Sequence, residues 1–265
     1  MLDIFHYSFM VRAFIAGMII AVIAPFIGVF LVSRKYALIA DSLAHVSLAG
    51  IALGLLMGIH PIITALIVTI GAAMLIERIR SNRRLSGESA LAIFLSGGLA
   101  VSIVLISLAN GFNTNLFSYL FGSITTVTDM DLWIIGVLGV LVLSTLCLLY
   151  KELTYCSFDW ESATVSGIPV TYINTVLVII TAITVVLSMR IVGALLIGAL
   201  MVIPVVTAMQ LAKSFKQTVL FAVCASMLSV MFGLLMAYYL NLPAGGAIVL
   251  VSLLFFGLSL TSRVQ

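Results

Sequence analysis

The sequence predicts an all-α, polytopic membrane protein with eight to nine transmembrane helices and one short re-entrant or interfacial helix. Of its 265 residues, 63% are hydrophobic and only 8% are charged, whereas ordinary soluble domains carry roughly 25% charged residues. Apolar runs of the about 20 residues that a helix needs to cross a bilayer recur along the whole chain. They leave no room for a soluble domain or a linker, so we predict a single transmembrane domain over residues 1–265.

The apolar runs define nine candidate crossings. They are, in chain order, Phe9 to Val32, Tyr36 to Ile59, Pro61 to Ile76, Ser89 to Leu108, Leu132 to Tyr150, Val170 to Met189, Ile191 to Leu211, Thr218 to Leu240 and Ala244 to Leu260. The first run is too long for the core of a signal peptide, so we expect it to be a retained span. Asn113 to Val127 is less apolar and rich in Asn, Ser and Thr, which indicates a short re-entrant or interfacial helix.

The basic residues orient this arrangement. If the N-terminus lies outside, ten of the twelve Lys and Arg residues fall on the cytoplasmic side, as the positive-inside bias expects. The inner residues are Arg34, Lys35, Arg78, Arg80, Arg83, Arg84, Lys151, Lys213, Lys216 and Arg263, and the outer ones are Arg12 and Arg190. The C-terminus is therefore predicted to be cytoplasmic. The net charge of +3 reflects this orientation and does not predict a nucleic-acid partner.

Two cytoplasmic segments are long enough to form structure of their own. The first, Glu77 to Ala90, is basic and is typical of a topological anchor. In the second, Cys156 to Pro169, the carboxylates Asp159 and Glu161 suit the first turn of a helix, and Gly167 precedes a proline that ends it. We expect a short helix parallel to the membrane in this second segment.

The run from Tyr36 to Ile59 carries both an aspartate and a histidine. Asp41 and His45 are four residues apart, so on a helix they share one face. Ionisable side chains inside a span mark a functional site by default, and a carboxylate with an imidazole suits Zn²⁺, Mn²⁺ or Fe²⁺. Two ligands are too few for tight binding, which suits a permeation pathway, and a second copy of the chain could complete a transient site. Alternatively, Asp41 caps the helix and His45 is its local partner.

Small residues continue along the same helix: Ser42, Ala49, Gly50, Gly54 and Gly58. The two GxxxG steps permit either close helix packing or a narrow lined path. His6 and His60 are expected to be solvated, Arg190 is expected to reach the membrane interface, and Pro204 is expected to kink its helix. The sequence contains no phosphate-binding loop and no HExxH or GxSxG motif, which disfavours an ATPase or a hydrolase.

The sequence resembles the membrane permeases of the ABC importers for zinc, manganese and chelated iron. The resemblance is carried by FIGVFLVSRKYALIADSLAHVSLAG from Phe26 to Gly50, ESALAIFLSGGLA from Glu88 to Ala100, SYLFGSITTVTDMDLW from Ser118 to Trp133, and FDWESATVSGIP with RIVGALLIGALMVIPVVTA up to Ala208. AHVSLAG looks like the zinc permeases, since manganese members often read SHAVLPG. Trp160 stands where the family commonly has proline.

The resemblance implies a type II ABC importer-like fold in the bacterial cytoplasmic membrane, in contact with lipid. It implies a homodimer fed by an extracytoplasmic metal-binding protein and driven by a cytoplasmic ATPase dimer that uses ATP. Asp41 and His45 match the family's metal-passage pair. The coupling residues would be Phe158, Asp159, Glu161, Ala163, Gly167 and Ile168. No cofactor would be bound permanently, because Zn²⁺ or Mn²⁺ is cargo, and the chain itself would not be an enzyme.

Three alternatives stay open at this point. A permease for a bulky chelate, such as a siderophore or a corrinoid, would need a wider path and no ion-ligating pair. A proton-coupled secondary transporter would use Asp41 and His45 as proton carriers. An intramembrane enzyme is disfavoured because Asp41 is the only carboxylate that the sequence places within the spans.

Overall fold

The computed structural model describes residues 6–81, 86–108 and 114–261. Within these ranges the chain forms twelve helices. They are α1 (Ser8–Ser33), α2 (Ile39–Met57), α3 (Pro61–Ser81), α4 (Gly87–Leu108), α5 (Thr114–Phe121), α6 (Asp129–Leu148), α7 (Tyr150–Phe158), α8 (Trp160–Val165), α9 (Val170–Ser188), α10 (Ile197–Leu211), α11 (Phe215–Leu240) and α12 (Ala244–Thr261). Arg83, Arg84, Asn113 and Arg263, which the sequence analysis used, lie outside the described residues.

The predicted all-α membrane fold is confirmed. Eight helices of the described ranges are long and apolar enough to cross a bilayer, namely α1, α2, α3, α4, α6, α9, α11 and α12. The predicted short helix between the fourth and fifth runs is α5, with eight residues. The count of spanning helices agrees with the lower number that the sequence predicted, because the seventh apolar run, Ile191 to Leu211, forms a shorter helix.

That seventh run begins as irregular backbone. Residues 189–196 form turns, and α10 starts only at Ile197 and has 15 residues, which gives it a length of about 22 Å. Gly193 has a φ of +87°, a conformation that interrupts a helix and that glycine adopts without strain. The segment is nevertheless buried, with Ile191 and Val192 fully covered. Irregular backbone at this depth is tolerated where protein surrounds it.

Contacts at one end of the bundle fix the direction of the last helices. We call this the Arg34 end: there, Arg34 bonds to Asn174 near the start of α9, and Phe215 at the start of α11 stacks against Phe30 and Phe158. α9 therefore leads away from the Arg34 end, and residues 189–196 with α10 lead back to it. The seventh run thus returns through the bundle as an irregular segment followed by a short helix.

The predicted run from Leu132 to Tyr150 also divides. α6 ends at Leu148 and the chain continues as α7 and α8, which meet at Asp159. The short helix predicted to begin with Asp159 and Glu161 is α8, and α7 precedes it as a separate short helix. Asp159 has extended backbone and its side chain accepts hydrogen bonds from the amides of Glu161 and Ser162, so it ends one helix and caps the next.

Candidate metal site and coupling segment

Asp41 and His45 are the two partly exposed residues of the otherwise buried stretch from Asp41 to Ala52 in α2. Both side chains are half-buried, whereas residues 42–44 and 46–52 are buried. The N-cap of α2 is Leu38, and no side chain caps this end. Asp41 is therefore not the helix cap, and that alternative interpretation is wrong.

The His45 side chain has a nitrogen atom that is not engaged in a hydrogen bond within the described residues. The Nδ1 atom of His45 is buried and has no hydrogen-bond partner among the described residues. A neutral imidazole nitrogen of this kind is a common ligand of zinc and related ions. No group of three or more His, Cys, Asp or Glu side chains able to hold a metal ion occurs in the described ranges. Within one chain the pair is therefore an incomplete site.

The glycines of α2 serve helix packing. A Cβ atom at Gly50 would lie 2.7 Å from the Cα of Ala65, and one at Gly54 would lie 2.2 Å from the Oγ1 of Thr64. Gly98 of α4 similarly approaches the backbone amide of Val46, where a Cβ would lie 2.8 Å away. Close packing is therefore observed for the first GxxxG step, Gly50 to Gly54, whereas Gly58 has open space around it and ends α2 with a φ of +67°. The close packing holds α2 between α3 and α4, with Asp41 and His45 on the remaining face.

Hydrogen bonds between residues close in sequence stabilise the predicted coupling segment. The amide of Ile168 donates to the carbonyl of Ala163 at 3.1 Å, and Gly167 closes the turn with a φ of +81°. Bonds from the hydroxyl and amide of Ser162 hold the pKa of the Asp159 carboxyl below its usual value. The carboxylate therefore stays ionised as the cap of α8.

This segment presents apolar side chains at its surface. Phe158 is 72% exposed, Trp160 is 52% exposed and Val165 is 89% exposed. Ala163, by contrast, is fully buried and anchors the segment to the bundle. An exposed patch of large apolar side chains outside the spanning helices is typical of a protein interaction surface. Glu161 lies beside it in the first turn of α8.

Arg34 fastens the segment to the spanning helices. Its Nε donates to the Oγ of Ser157 at 3.0 Å, and its Nη2 donates to the carbonyl oxygen of Leu153 at 3.1 Å. A third bond joins Nη1 to the Oδ1 of Asn174 in α9. Arg34 is therefore a structural junction as well as one of the basic residues that the sequence placed inside.

The far side of the bundle holds an ion pair that the sequence analysis missed. The Nε of Arg190 lies 3.4 Å from the Oδ2 of Asp131, whose side chain is fully buried, and the guanidinium lies 4.8 Å from the centre of the Tyr119 ring. The sequence analysis expected Arg190 to reach the membrane interface, and it did not predict that Asp131 pairs with the guanidinium inside the protein. The expectation of a single carboxylate within the spans is wrong, because Asp131 lies in the first turn of α6.

A local signal for this carboxylate does exist in the sequence. Thr128 and Asp131 form a reciprocal capping box, the pattern of a hydroxyl residue followed three positions later by an acid. Applied to this stretch, the pattern moves the start of the helix from Leu132 to Asp129. The other histidines lie apart from the pair: His6 is exposed and His60 precedes α3.

Comparison with known proteins agrees with this architecture. The chain is 34% identical over 257 residues to the "High-affinity zinc uptake system membrane protein ZnuB" of Haemophilus influenzae, covering 97% of this chain and 98% of the relative. It is 35% identical over 250 residues to the "Manganese import system permease protein ScaB" of Streptococcus gordonii, covering 94% and 90%.

A solved structure, "PsaBC from Streptococcus pneumoniae in complex with Fab", contains a chain with a TM-score of 0.87 and 31% identity, covering 97% of this chain and 92% of that one. The family model described as "ABC 3 transport family" matches residues 6–263. The chain is thus matched over nearly its whole length, and it belongs to the ABC 3 transport family.

Proposed function

We propose that this chain is the membrane-spanning permease subunit of an ABC importer for divalent transition-metal ions, with Asp41 and His45 as the ligands that hand the ion through the bundle. The observation that carries the proposal is the pair itself: one helical turn apart in α2, a half-buried acid and a half-buried histidine whose buried Nδ1 atom has no hydrogen-bond partner among the described residues. Relatives named for zinc and for manganese transport support the class of cargo. We propose zinc as the preferred ion, on the AHVSLAG motif.

The incomplete ligand set supports a dimeric pore. Two ligands hold an ion weakly, and the described residues of one chain supply no third His, Cys, Asp or Glu beside them. A second copy with its own Asp41 and His45 facing the same axis would raise the number to four, the coordination number that Zn²⁺ prefers. An ion shared between two copies can leave when they separate, as transport requires.

The proposed complex has the N-terminus outside and the C-terminus in the cytoplasm. An extracytoplasmic binding protein delivers the ion, and a cytoplasmic ATPase dimer hydrolyses ATP. The ATPase docks on the coupling segment formed by Phe158, Asp159, Glu161, Gly167 and Ile168, which the buried Ala163 anchors to the bundle. The exposed apolar side chains of that segment support this docking surface. The cargo is a substrate of the complex, and residues 1–265 form one permease domain in the bacterial cytoplasmic membrane.

Alanine at Asp41 or at His45 should abolish metal uptake by the assembled transporter. Loss of a residue that merely supports a metal ligand costs about 10–100-fold in affinity or activity, so loss of a ligand should cost at least as much. The measurement is uptake of radioactive Zn²⁺ and Mn²⁺ into vesicles that contain the complete complex. His6→Ala is the control, because this exposed histidine lies apart from the pair.

Unchanged uptake by Asp41→Ala in an assembled complex would remove the proposed site. Uptake by the chain alone, without the ATPase, would instead indicate a proton-coupled secondary transporter. Labelling of Asp41→Cys separates free ions from chelates, because Zn²⁺ should protect the thiol if a bare ion reaches it. Competition between Zn²⁺ and Mn²⁺ in the uptake assay tests the preference for zinc.

The cap of α8 gives a second test, directed at the coupling segment. Asp159→Ala removes the oxygen that accepts the amides of Glu161 and Ser162, so α8 should fray and ATP hydrolysis should no longer drive uptake. Asp159→Asn is the matched control, because asparagine caps helices about as well as aspartate. The measurement is the ratio of ions transported to ATP hydrolysed. Equal ratios for the two variants would contradict a role for the capped helix in coupling.

A further inference from the structure

The Asp41 carboxylate lies directly against a glycine of another helix. A Cβ atom added at Gly198 would lie 1.9 Å from Oδ1, 2.7 Å from Cγ and 3.1 Å from Oδ2 of Asp41. All three outer atoms of the side chain therefore face the bare backbone of this residue. A methyl group at position 198 cannot coexist with the carboxylate in its present position.

Gly198 lies in the first turn of α10, where the environment favours an anion. The first amide groups of a helix have no partner within the helix, and its N-terminus carries a partial positive charge. The N-cap residue, Leu196, supplies no side-chain cap. The carboxylate next to this turn comes instead from α2, a different part of the chain.

The position of α10 is itself fixed by close packing. A Cβ atom at Gly28 of α1 would lie 2.0 Å from the carbonyl oxygen of Met201, one turn beyond Gly198. Backbone contact of this kind leaves α10 no room to move closer to α1. The surface that meets Asp41 is therefore a rigid one.

We propose that Gly198 is a positioning residue for metal passage, and that the first turn of α10 holds the Asp41 carboxylate in the orientation that receives the ion. This inference rests on the proposed function of Asp41. The helix end contacts one side of the carboxylate, so the ion is received on another side, toward the exposed face of α2. The irregular segment before α10 is what allows this helix to begin inside the bundle, beside Asp41.

The test is Gly198→Ala in the complete transporter, with the concentration dependence of Zn²⁺ uptake as the measurement. The half-saturating concentration should rise about 10-fold or more, as for other residues that orient a metal ligand. Gly246→Ala is the control, because a Cβ there meets nothing within 4 Å. A half-saturating concentration for Gly198→Ala equal to that of Gly246→Ala would overturn the proposal.

A double-mutant cycle shows whether the effect passes through the carboxylate. Gly198→Ala should lower the thermal stability of the purified complex when position 41 is Asp or the isosteric Asn. It should have little effect in the Asp41→Ala background, where the methyl group has room. A stability loss of the same size in all three backgrounds, including failure to assemble in all three, would also overturn the proposal.

These results separate the two levels of inference. If Asp41→Ala abolishes uptake but Gly198→Ala behaves as the control, the metal site stands and the positioning role falls. If Asp41→Ala leaves uptake intact, the proposed site itself fails, whatever Gly198→Ala does.

Discussion

Alanine at Gly245 should prevent the chain from folding to its native packing. The added Cβ would lie 1.8 Å from the carbonyl oxygen of Val192 and 2.8 Å from that of Phe121. Both obstacles are backbone atoms, which cannot rotate away as the end of a side chain can. We expect a loss of about 3 kcal/mol or more, the upper range for overpacking a close-packed interior.

The effect should be large because Gly245 belongs to a place where three backbone segments are in contact, which we call the glycine contact of Gly122, Gly193 and Gly245. Gly122 and Gly193 have φ values of +75° and +87°, and Cβ atoms there would lie 2.0 Å and 2.4 Å from the carbonyl oxygens of Ile191 and Leu120. Three backbone segments therefore meet where each supplies a glycine, and no neighbouring side chain can move to make room. A displacement of α12 would remove the contact that covers residues 189–196, the irregular segment before α10.

Gly246→Ala is the matched control, one residue further along α12, with nothing within 4 Å of the added Cβ. Replacing glycine with alanine inside a helix favours the helix by up to about 1 kcal/mol, so this variant should be at least as stable as the parent. The measurement is the yield of monodisperse protein in mild detergent and its thermal unfolding. Equal stability of the two variants would show that the glycine contact is not close-packed.

Alanine at Asp131 should destabilise the protein almost as strongly. The variant leaves the Arg190 guanidinium buried without its carboxylate, and breaking a buried pair in this way costs about 3–5 kcal/mol. Asp131 also accepts bonds from the amide and hydroxyl of Thr128, at 2.9 Å and 2.7 Å, so the start of α6 loses part of its cap. Thermal unfolding in detergent measures the loss.

A second ion pair, between Arg12 of α1 and the exposed Asp129 of α6, provides the comparison. Arg12 and Asp129 lie 3.1 Å apart, but the Asp129 side chain is 82% exposed. Such surface pairs contribute about 0–1 kcal/mol, so Asp129→Ala should be nearly neutral. Removing both charges, with Asp131→Leu and Arg190→Met, should be less harmful than Asp131→Ala alone. Equal losses for Asp129→Ala and Asp131→Ala would contradict the buried pair.

Hydropathy was sufficient to predict the helices that span, because a bilayer crossing requires a long apolar run whatever the helix packs against. It could not show where helix gives way to turns within such a run, as at residues 189–196. The residues there are as apolar as those of a helix. The break depends on backbone contacts between Gly193 and the carbonyl of Leu120, which are distant in sequence.

The candidate site was predictable only as far as it is local. Spacing along one helix placed Asp41 and His45 together, since residues four apart share a face. The partner of Arg190, by contrast, lies 59 positions away at Asp131, and no local pattern joins them. Gly198 was equally hidden, because a glycine within an apolar run gives no sign of the carboxylate that it faces.

Arg34 connects the short surface helices α7 and α8 to the spanning helices. Its guanidinium joins three pieces of chain, and hydrogen bonds from a charged group are worth about 1.5–3 kcal/mol each. The Arg34 guanidinium should therefore form a stiff connection, so that a displacement of Phe158 is transmitted to Arg34 and is not absorbed by the bending of a loop. The displacement would then reach the turn between α1 and α2. Asp41 lies just beyond this turn, seven residues after Arg34. The short surface helices and Asp41, the proposed ligand, would in this way move together.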